Sequence, residues 1–521
     1  MSPPDPPFAG ESPFPPVKAP GPAEAGASAP TRPPAPRWFV RLALAALAGY
    51  TMFLAANMSA VAGGSDSSGY LNSARLFAAG KVRAALRVPS EFAGLELKRS
   101  HFSPAGFCSF SGHRDLAPAY PSGFPLHLAL GGRLLGWQIG PFVVQLLAAV
   151  AAVWLCYRTA RALGLHFGLA GAAAAMLAVF PVFIYASVQT LSDTLATTWA
   201  LAALFFALRG RASHRWAVAC GAALAIAVLV RPTNALLAPA LVVVLGFDVR
   251  RLGCFILGGV PGALWLGLYN HYLYGGALRS GYGDIFTDFA LEYGAPTALH
   301  FAKWLALFLP PVVLALPLAA LADRRTRGRE LLGLGLVTVA IVGLYLFCAY
   351  SHDDWTYLRY ILPALPALIL GALLGVEAMA RGPGARWPRA FRPVVALVFT
   401  LWALGNSWYW TRSLHALYVP GYERAYAEAA RLVRERVPPN ALILSCNVSG
   451  SIYYYTDLPT LLFDSVEPAE FARYEALARK AGRPIYAALF DIEEEDAIRK
   501  RCPGAWKKIA AAGNIGIWRL E

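Results

Sequence analysis

Ser65-Asp66-Ser67-Ser68-Gly69-Tyr70-Leu71-Asn72-Ser73-Ala74-Arg75-Leu76-Phe77-Ala78-Ala79-Gly80 follows directly on a long apolar run from Trp38 to Ala62. That run is long enough to cross a bilayer, so the stretch after it puts a carboxylate just outside the membrane. Tyr70, Ala74 and Phe77 recur at helical spacing, which predicts a short amphipathic helix closed by Gly80. Asp66 then has two readings. It or Ser65 can accept from the free N–H groups of the first turn as an N-cap, or its carboxylate can take part in chemistry. Taken alone, these residues favour the cap. The rest of the chain favours chemistry.

Composition sets the broad class. The 521 residues are 57% hydrophobic and only 15% charged, with a mean hydropathy of +0.47. So many apolar residues with so few charges belong to a chain that crosses a membrane repeatedly. The net charge of +15 does not point to nucleic acid, because the basic residues fall in short clusters between apolar spans. That is the positive-inside pattern, and no zinc-finger, recognition-helix or RNA-binding signature accompanies it. The seven cysteines form no CxxC pair; Cys156, Cys220, Cys254 and Cys348 lie in apolar spans, where Cys behaves as a small hydrophobe.

Residues 1–36, rich in Pro, Ala, Gly and Ser, read as a disordered cytoplasmic tail without a cleavable signal. Lys18, Arg32, Arg37 and Arg41 put that tail inside and Asp66 outside. A long outer segment, 63–139, holds the apolar stretch Ser122–Gly136, which is too short to span and reads as an interfacial or re-entrant helix. Further spans follow near 140–157, 168–187, 190–208, 215–230, 232–247, 252–272, 297–322, 331–350, 359–380 and 391–411. The clusters Arg158/Arg161, Arg209/Arg211/Arg215, Arg250/Arg251, Arg324/Arg325/Arg327/Arg329 and Arg381/Arg386/Arg389/Arg392 all then land on the inner side. The expected fold is an all-α polytopic membrane bundle over 37–411, with about eleven transmembrane helices, N-in and C-out. Residues 412–521 have the charge density of a soluble domain. A helix-like run from Tyr422 to Val437 precedes strand-like Ala441–Leu444, Ile485–Phe490 and Ile515–Trp518, which predicts a small extracytoplasmic α/β domain. Cys446 and Cys502 lie there, either free or paired.

Polar groups at the outer ends of spans carry the functional information, because charge at membrane depth is costly. Besides Asp66 these are Asp193, Arg231 with Asn234, Asn270 with His271, Tyr282 with Asp284, His352-Asp353-Asp354, and Arg359. Each has a plain alternative. Asp193 can cap a helix, Arg231 can snorkel to the interface, and Asp353 and Asp354 read as a wet loop.

Taken in order, these residues resemble the GT-C membrane glycosyltransferases. An acid just after span one is followed by a Tyr-containing helix that ends in Gly. Ala119-Tyr120-Pro121-Ser122-Gly123-Phe124-Pro125-Leu126, Leu191-Ser192-Asp193, Arg231-Pro232-Thr233-Asn234 and Trp355-Thr356-Tyr357-Leu358-Arg359-Tyr360-Ile361-Leu362-Pro363 are similar to successive blocks of that group. The branch concerned holds the protein O-mannosyltransferases and the lipid A aminoarabinose transferase, and the likeness covers about residues 38–380. It implies an inner-membrane, cell-envelope enzyme that moves a sugar from a polyprenyl-phosphate carrier to an extracytoplasmic glycan, lipid or protein. Asp66 carries over as the catalytic acid of the first loop. Many relatives have a second acid beside it, where this chain has Ser67, and the aminoarabinose branch has a Lys before its proline pair, where this chain reads Ala119-Tyr120-Pro121.

The chemistry is consistent with one carboxylate. A lipid-phosphate sugar is already activated, so a lone Asp66 suffices as general base for an inverting displacement, and no second acid is needed to protonate the leaving group. Charge builds on the departing phosphate, for which Arg231 and Arg359 are the candidate cations. Tyr70, Tyr120, Asp193, Asn270, His271, Tyr282 and Asp284 complete the expected substrate site. No cofactor is required, and a divalent metal is left open. The rival class is a transporter or flippase for a lipid-linked or small polar substrate, in which the same residues line a pathway. No internal repeat supports it, and the polar residues gather at one face.

Overall fold

The computed structural model describes residues 34–92, 98–109, 115–283, 285–323, 326, 328–381 and 390–521. Asp284, most of the amino-terminal tail and the inner-loop residues Arg324, Arg325, Arg327, Arg386 and Arg389 lie outside the described residues.

The membrane part is built from α1 (Arg37–Asn57), α2 (Ser65–Ala78), α3 (Gly123–Leu135), α4 (Gly140–Ala162), α5 (Phe167–Ala178), α6 (Pro181–Ser187), α7 (Ser192–Gly210) and α8 (His214–Val230). It continues through α9 (Ala238–Leu245), α10 (Val249–Tyr274), α11 (Gly294–Phe308), α12 (Val312–Ala322), α13 (Arg329–Tyr345), α14 (Leu365–Met379) and α15 (Phe391–Ser413). Each apolar segment read from the sequence coincides with one of these helices or with a broken pair. By length and apolarity four of the described helices can cross a membrane, or up to six if each bent pair is one span. The others are shorter, so the bundle is less uniform than a count of about eleven spans implies.

Proline explains the breaks. The α5–α6 pair bends by 60° at Phe180-Pro181, and the segment containing α11 meets α12 at 92° across Pro310-Pro311. Proline lacks the N–H that would continue the ladder and pushes the preceding residue out of helical conformation. A 3₁₀ run, Trp355–Ala364, leads into α14, and 94% of the apolar window of this combined segment is buried. In α1 and α10 only 6% is buried, and Leu42, Met52, Ile256 and Leu268 face outward. An apolar helix with an apolar outer face is suited to hydrocarbon, not to water.

After α15, α16 (Val419–Arg436), α17 (Ser449–Tyr455) and α18 (Pro468–Lys480) surround a five-stranded sheet. The chain's strands are β1 (Ala84–Ala85), β2 (Phe107–Ser109), β3 (Asp115–Pro118), β4 (Leu442–Leu444), β5 (Thr460–Leu461), β6 (Ile485–Phe490), β7 (Trp506–Ala512) and β8 (Ile515–Leu520). The first three form a small antiparallel sheet within the long first loop. The larger sheet has the order β5-β4-β6-β8-β7, parallel across β5, β4 and β6 and antiparallel beyond. The all-buried pattern of Leu442–Leu444 and of most of β6 follows from cover on both faces. One face packs Ala429, Ala430 and Val433 of α16. The other packs Phe471 and Tyr474 of α18 together with Phe92 and Phe102 of the first loop. The first loop and the carboxy-terminal sheet therefore share a core, which the Glu91–Arg483 ion pair ties at its edge. All seven cysteines are free, Cys446 and Cys502 included.

Helix α2 is held at both ends. At its carboxyl end Gly80 has φ +71°, its N–H bonds Phe77 O at 2.9 Å, and Lys81 N–H bonds Leu76 O at 3.0 Å, a Schellman closure. At its other end Gly69 lies against Gly106, whose φ is +88°. A Cβ on Gly69 would sit 2.7 Å from the Gly106 Cα and 2.4 Å from the Tyr120 ring. Gly69→Ala is therefore expected to destabilise the protein by about 1–3 kcal/mol through overpacking. Gly405→Ala, in α15 with nothing within 4 Å, is the control expected to be neutral or stabilising. Thermal unfolding of both variants in detergent checks the difference.

Candidate active site

The N-cap of α2 is Gly64, with no side-chain cap, so Asp66 does not do the capping that its position allows. Its carboxylate turns instead to a residue 293 positions away: Arg359 Nη1 donates to Asp66 Oδ2 at 2.9 Å. The two side chains are 29% and 17% exposed, so the pair sits at the edge of solvent. Burial works to raise the Asp66 pKa, but the Arg359 charge and the Tyr120 hydroxyl outweigh it and hold the carboxyl below its usual range.

A second pair lies beneath the first. Arg231 Nη1 meets Asp193 Oδ1 at 2.7 Å, with side-chain exposures of 14% and 2%. Asp193 is in the first turn of α7, and Arg231 leaves α8 just before Pro232, where the chain must turn. Arg231 does not snorkel away, because it also donates to the Arg359 carbonyl at 3.3 Å. Both guanidinium groups lie over the Tyr360 ring, at 5.2 and 5.5 Å from its centroid. Each ring face attracts cations, so Tyr360 helps keep two like charges close. Two carboxylates and two guanidinium groups make the cluster neutral as it stands.

Tyrosines line one side. Tyr70 exchanges a 2.9 Å hydrogen bond with Ser192 and packs 4.7 Å from Tyr120, whose ring in turn meets Tyr282 edge-on at 6.0 Å. Asp66, Tyr70, Tyr120, Asp193, Arg231, Tyr282 and Arg359 are thus brought together. Asn270 and His271 are not. Asn270 Nδ2 donates to Ala277 O and closes the turn after α10, while His271 is exposed, and no contact among the described residues joins either to the cluster. Asp354 caps Thr356 N–H at 2.9 Å, as a loop residue would. Among the described residues no group of three or more His, Cys, Asp or Glu converges on a point that would hold a metal ion.

One residue escaped the sequence reading. Glu423 of α16 accepts from Ser67 Oγ and, at 3.2 Å, from Gly64 N–H. A second carboxylate therefore stands close to Asp66, held by the neighbouring Ser67, but it is delivered from the carboxy-terminal unit. Burial raises its pKa, while the Ser67 hydroxyl and the Gly64 N–H work the other way. No local pattern could have singled it out, since Glu423 opens a helix whose charges look like an ordinary wet face. Ser192 and Tyr360 lay inside quoted motifs without being given a role.

Comparisons with known proteins bear on the fold. Residues 121–257 match the family described as dolichyl-phosphate-mannose-protein mannosyltransferase, a segment that contains Asp193 and Arg231. The structure of ArnT from Cupriavidus metallidurans bound to undecaprenyl phosphate aligns with a TM-score of 0.54 at 17% identity, covering 93% of this chain and 98% of that one. An Archaeoglobus fulgidus oligosaccharyltransferase tethered to an acceptor peptide also aligns at 0.54, with 13% identity, covering 88% of this chain and 70% of that one. The chain shares its fold with both of these structures. No curated protein sequence matches it. Within this fold Asp66 of α2, the Asp193–Arg231 pair and Arg359 come from separate segments of the chain and meet in one cluster.

The Glu423 clamp generates a prediction. Glu423→Ala leaves the Ser67 hydroxyl and Gly64 N–H without their acceptor and is expected to cost about 1–3 kcal/mol. Glu423→Gln keeps a side-chain acceptor and should cost less. The check is thermal unfolding of both variants in the same detergent.

Proposed function

We propose that this protein is an integral-membrane glycosyltransferase that moves a sugar from a polyprenyl-phosphate carrier to an extracytoplasmic acceptor. The observation that carries this reading is the Asp66–Arg359 pair: a carboxylate and a guanidinium at 2.9 Å, open to solvent on one side and backed by the Asp193–Arg231 pair. The charge pattern of the loops supports a position for the cluster outside the cytoplasm.

In the reaction, an acceptor hydroxyl oxygen attacks the anomeric carbon from the face opposite the phosphate. Its proton passes to Asp66, the bond from the anomeric carbon to the phosphate oxygen breaks, and the electron pair leaves with polyprenyl phosphate. The product has inverted configuration. Burial opposes ionisation of Asp66, but the Arg359 charge outweighs it and holds the carboxyl below its usual range, which favours the ionised base while making it weaker. Arg359 has a second use. As negative charge collects on the departing phosphate, a guanidinium fixed by Asp66 and by the Tyr360 ring is ready to share its donors with phosphate oxygens. Arg231 adds a second positive charge whose own partner, Asp193, holds it in place. Tyr70, Tyr120 and Tyr282 supply flat, partly polar walls of the kind that bind sugar rings.

Asp66→Asn is expected to lower transfer from a labelled polyprenyl-phosphate sugar by about 10²–10⁴-fold, with insertion and thermal stability retained. Equal activity of Asn and wild type would remove Asp66 as the base. Arg359→Gln is expected to reduce the rate and also to move the acid limb of the kcat/KM profile upward. The sign follows from the structure: burial alone raises the Asp66 pKa, and the variant removes the charge that opposes it. An acid limb that stays in place would show that the limb does not report Asp66.

A further inference from the structure

A cleft of about 450 Å³ opens between α2 and the carboxy-terminal unit, away from the Asp66 cluster. Asn72, Arg75, Leu76 and Ala79 form its α2 wall, one stripe at helical spacing, and Tyr453 to Asp457 form the opposite wall. Lys81 and Arg87 close it from the first loop. Its volume falls within the range of small-ligand sites.

The cations of this cleft are held in place, but not neutralised. The Arg75 guanidinium lies 3.5 Å from the Tyr454 ring centroid and donates to the Tyr454 carbonyl at 2.8 Å. Arg87 lies 3.7 Å from the Tyr453 ring centroid and donates to the carbonyls of Tyr453 and Thr456 at 3.2 and 2.7 Å. Its acidic partner, Asp457 at 3.5 Å, is fully exposed, so water screens that pair. Neither Arg75 nor Lys81 has a carboxylate partner among the described residues. Three cations against one solvated acid leave a positive cleft whose two guanidinium forks are preorganised by rings and backbone carbonyls. Loose lysines on a flat face would suit a membrane surface. Fixed forks stacked on tyrosine rings, in a cleft that Phe107 and Tyr455 also line, suit a ligand with apolar ring faces and fixed anionic groups.

We infer that this cleft binds an anionic oligosaccharide, one that carries carboxylate or phosphate groups, as a remote part of the acceptor. Calling the ligand the acceptor rests on the transferase reading above; the cleft's preference for an anionic saccharide does not. Arg75 lies about 13 Å beyond Asp66 along α2 and on a different face, so the cleft does not hold the reacting hydroxyl. It grips the chain farther along, and binding energy from a remote segment can then position the reacting end. The carboxy-terminal unit gains a role beyond covering α2, because it provides one wall.

The test measures binding of trigalacturonate to the purified full-length protein in uncharged detergent, with neutral maltotriose as control. Trigalacturonate is expected to bind at least tenfold more tightly than maltotriose, and the advantage should shrink as NaCl is raised. Lys81→Glu, at an exposed site with no partner to lose, is expected to remove most of that advantage. Arg75→Gln should do the same, and its folding is checked by thermal unfolding because it also frees Tyr454 O. Equal binding of the two trisaccharides, or binding indifferent to Lys81→Glu, would overturn the proposal. So would Lys81-dependent binding to vesicles of anionic phospholipid without binding to trigalacturonate, which would make the cleft a headgroup site. Failure of the transferase reading is distinguishable: transfer would be absent across donors while Lys81-dependent trigalacturonate binding persists.

Discussion

A charge removed from water must find an opposite charge, and in this chain that requirement decides which distant segments meet. Asp193, at 2% exposure, holds Arg231, and Glu377, also at 2%, holds Arg381 and Arg392 at 3.1 Å each. Asp66 and Arg359 obey the same rule at the rim. The Asp193–Arg231 pair is the one on which the site depends. Removing either partner would leave a buried unpaired charge, at a cost of about 3–5 kcal/mol. Arg231 in turn binds the Arg359 carbonyl and shares Tyr360 with the Arg359 guanidinium, so the buried pair sets the height and direction of the exposed one.

The exposed pair differs from the buried one in a way that suits chemistry. A fully buried ion pair is a strut, since its charges cannot be lent to a substrate without a large desolvation penalty. Asp66 and Arg359 keep 29% and 17% of their side chains open, so polar groups from outside can reach them. One pair is closed off and the other is open at the rim.

The long first loop and the carboxy-terminal unit form a second organising contact. Phe92 and Phe102 enter the core beneath the larger sheet, Ser451 donates to the carbonyls of Ala62 and Gly63, and Glu423 reaches Ser67 and Gly64. Helix α2 is consequently fixed from both sides, by the bundle through Tyr70 and Ser192 and by the outer unit through Glu423 and Asn72. A helix of 14 residues has little stability of its own, so tertiary contact must supply it. Rigidity at Asp66 is thus a property of the assembled chain.

Local chemistry made much of this legible beforehand. Apolar runs, basic clusters and prolines depend only on neighbouring residues, so the positions of the helical segments, α3 among them, Gly80 as a stop and the strands β6 and β8 could be read from order alone. The resemblance to GT-C chains placed Asp66, Arg231 and Arg359 among the functional residues because each lies in a short contiguous motif. Tertiary structure decided the rest. Which acid pairs with which arginine, why Asn270 serves a turn and His271 faces away, and how Glu423 comes to stand beside Ser67 all depend on how the assembled chain packs, with Asp66 293 positions from Arg359 and Ser67 356 from Glu423. Periodicity and spacing carry no information about such contacts. Sequence determined the helices and the chemistry available to them; the packing of buried charges determined which of those groups share a site.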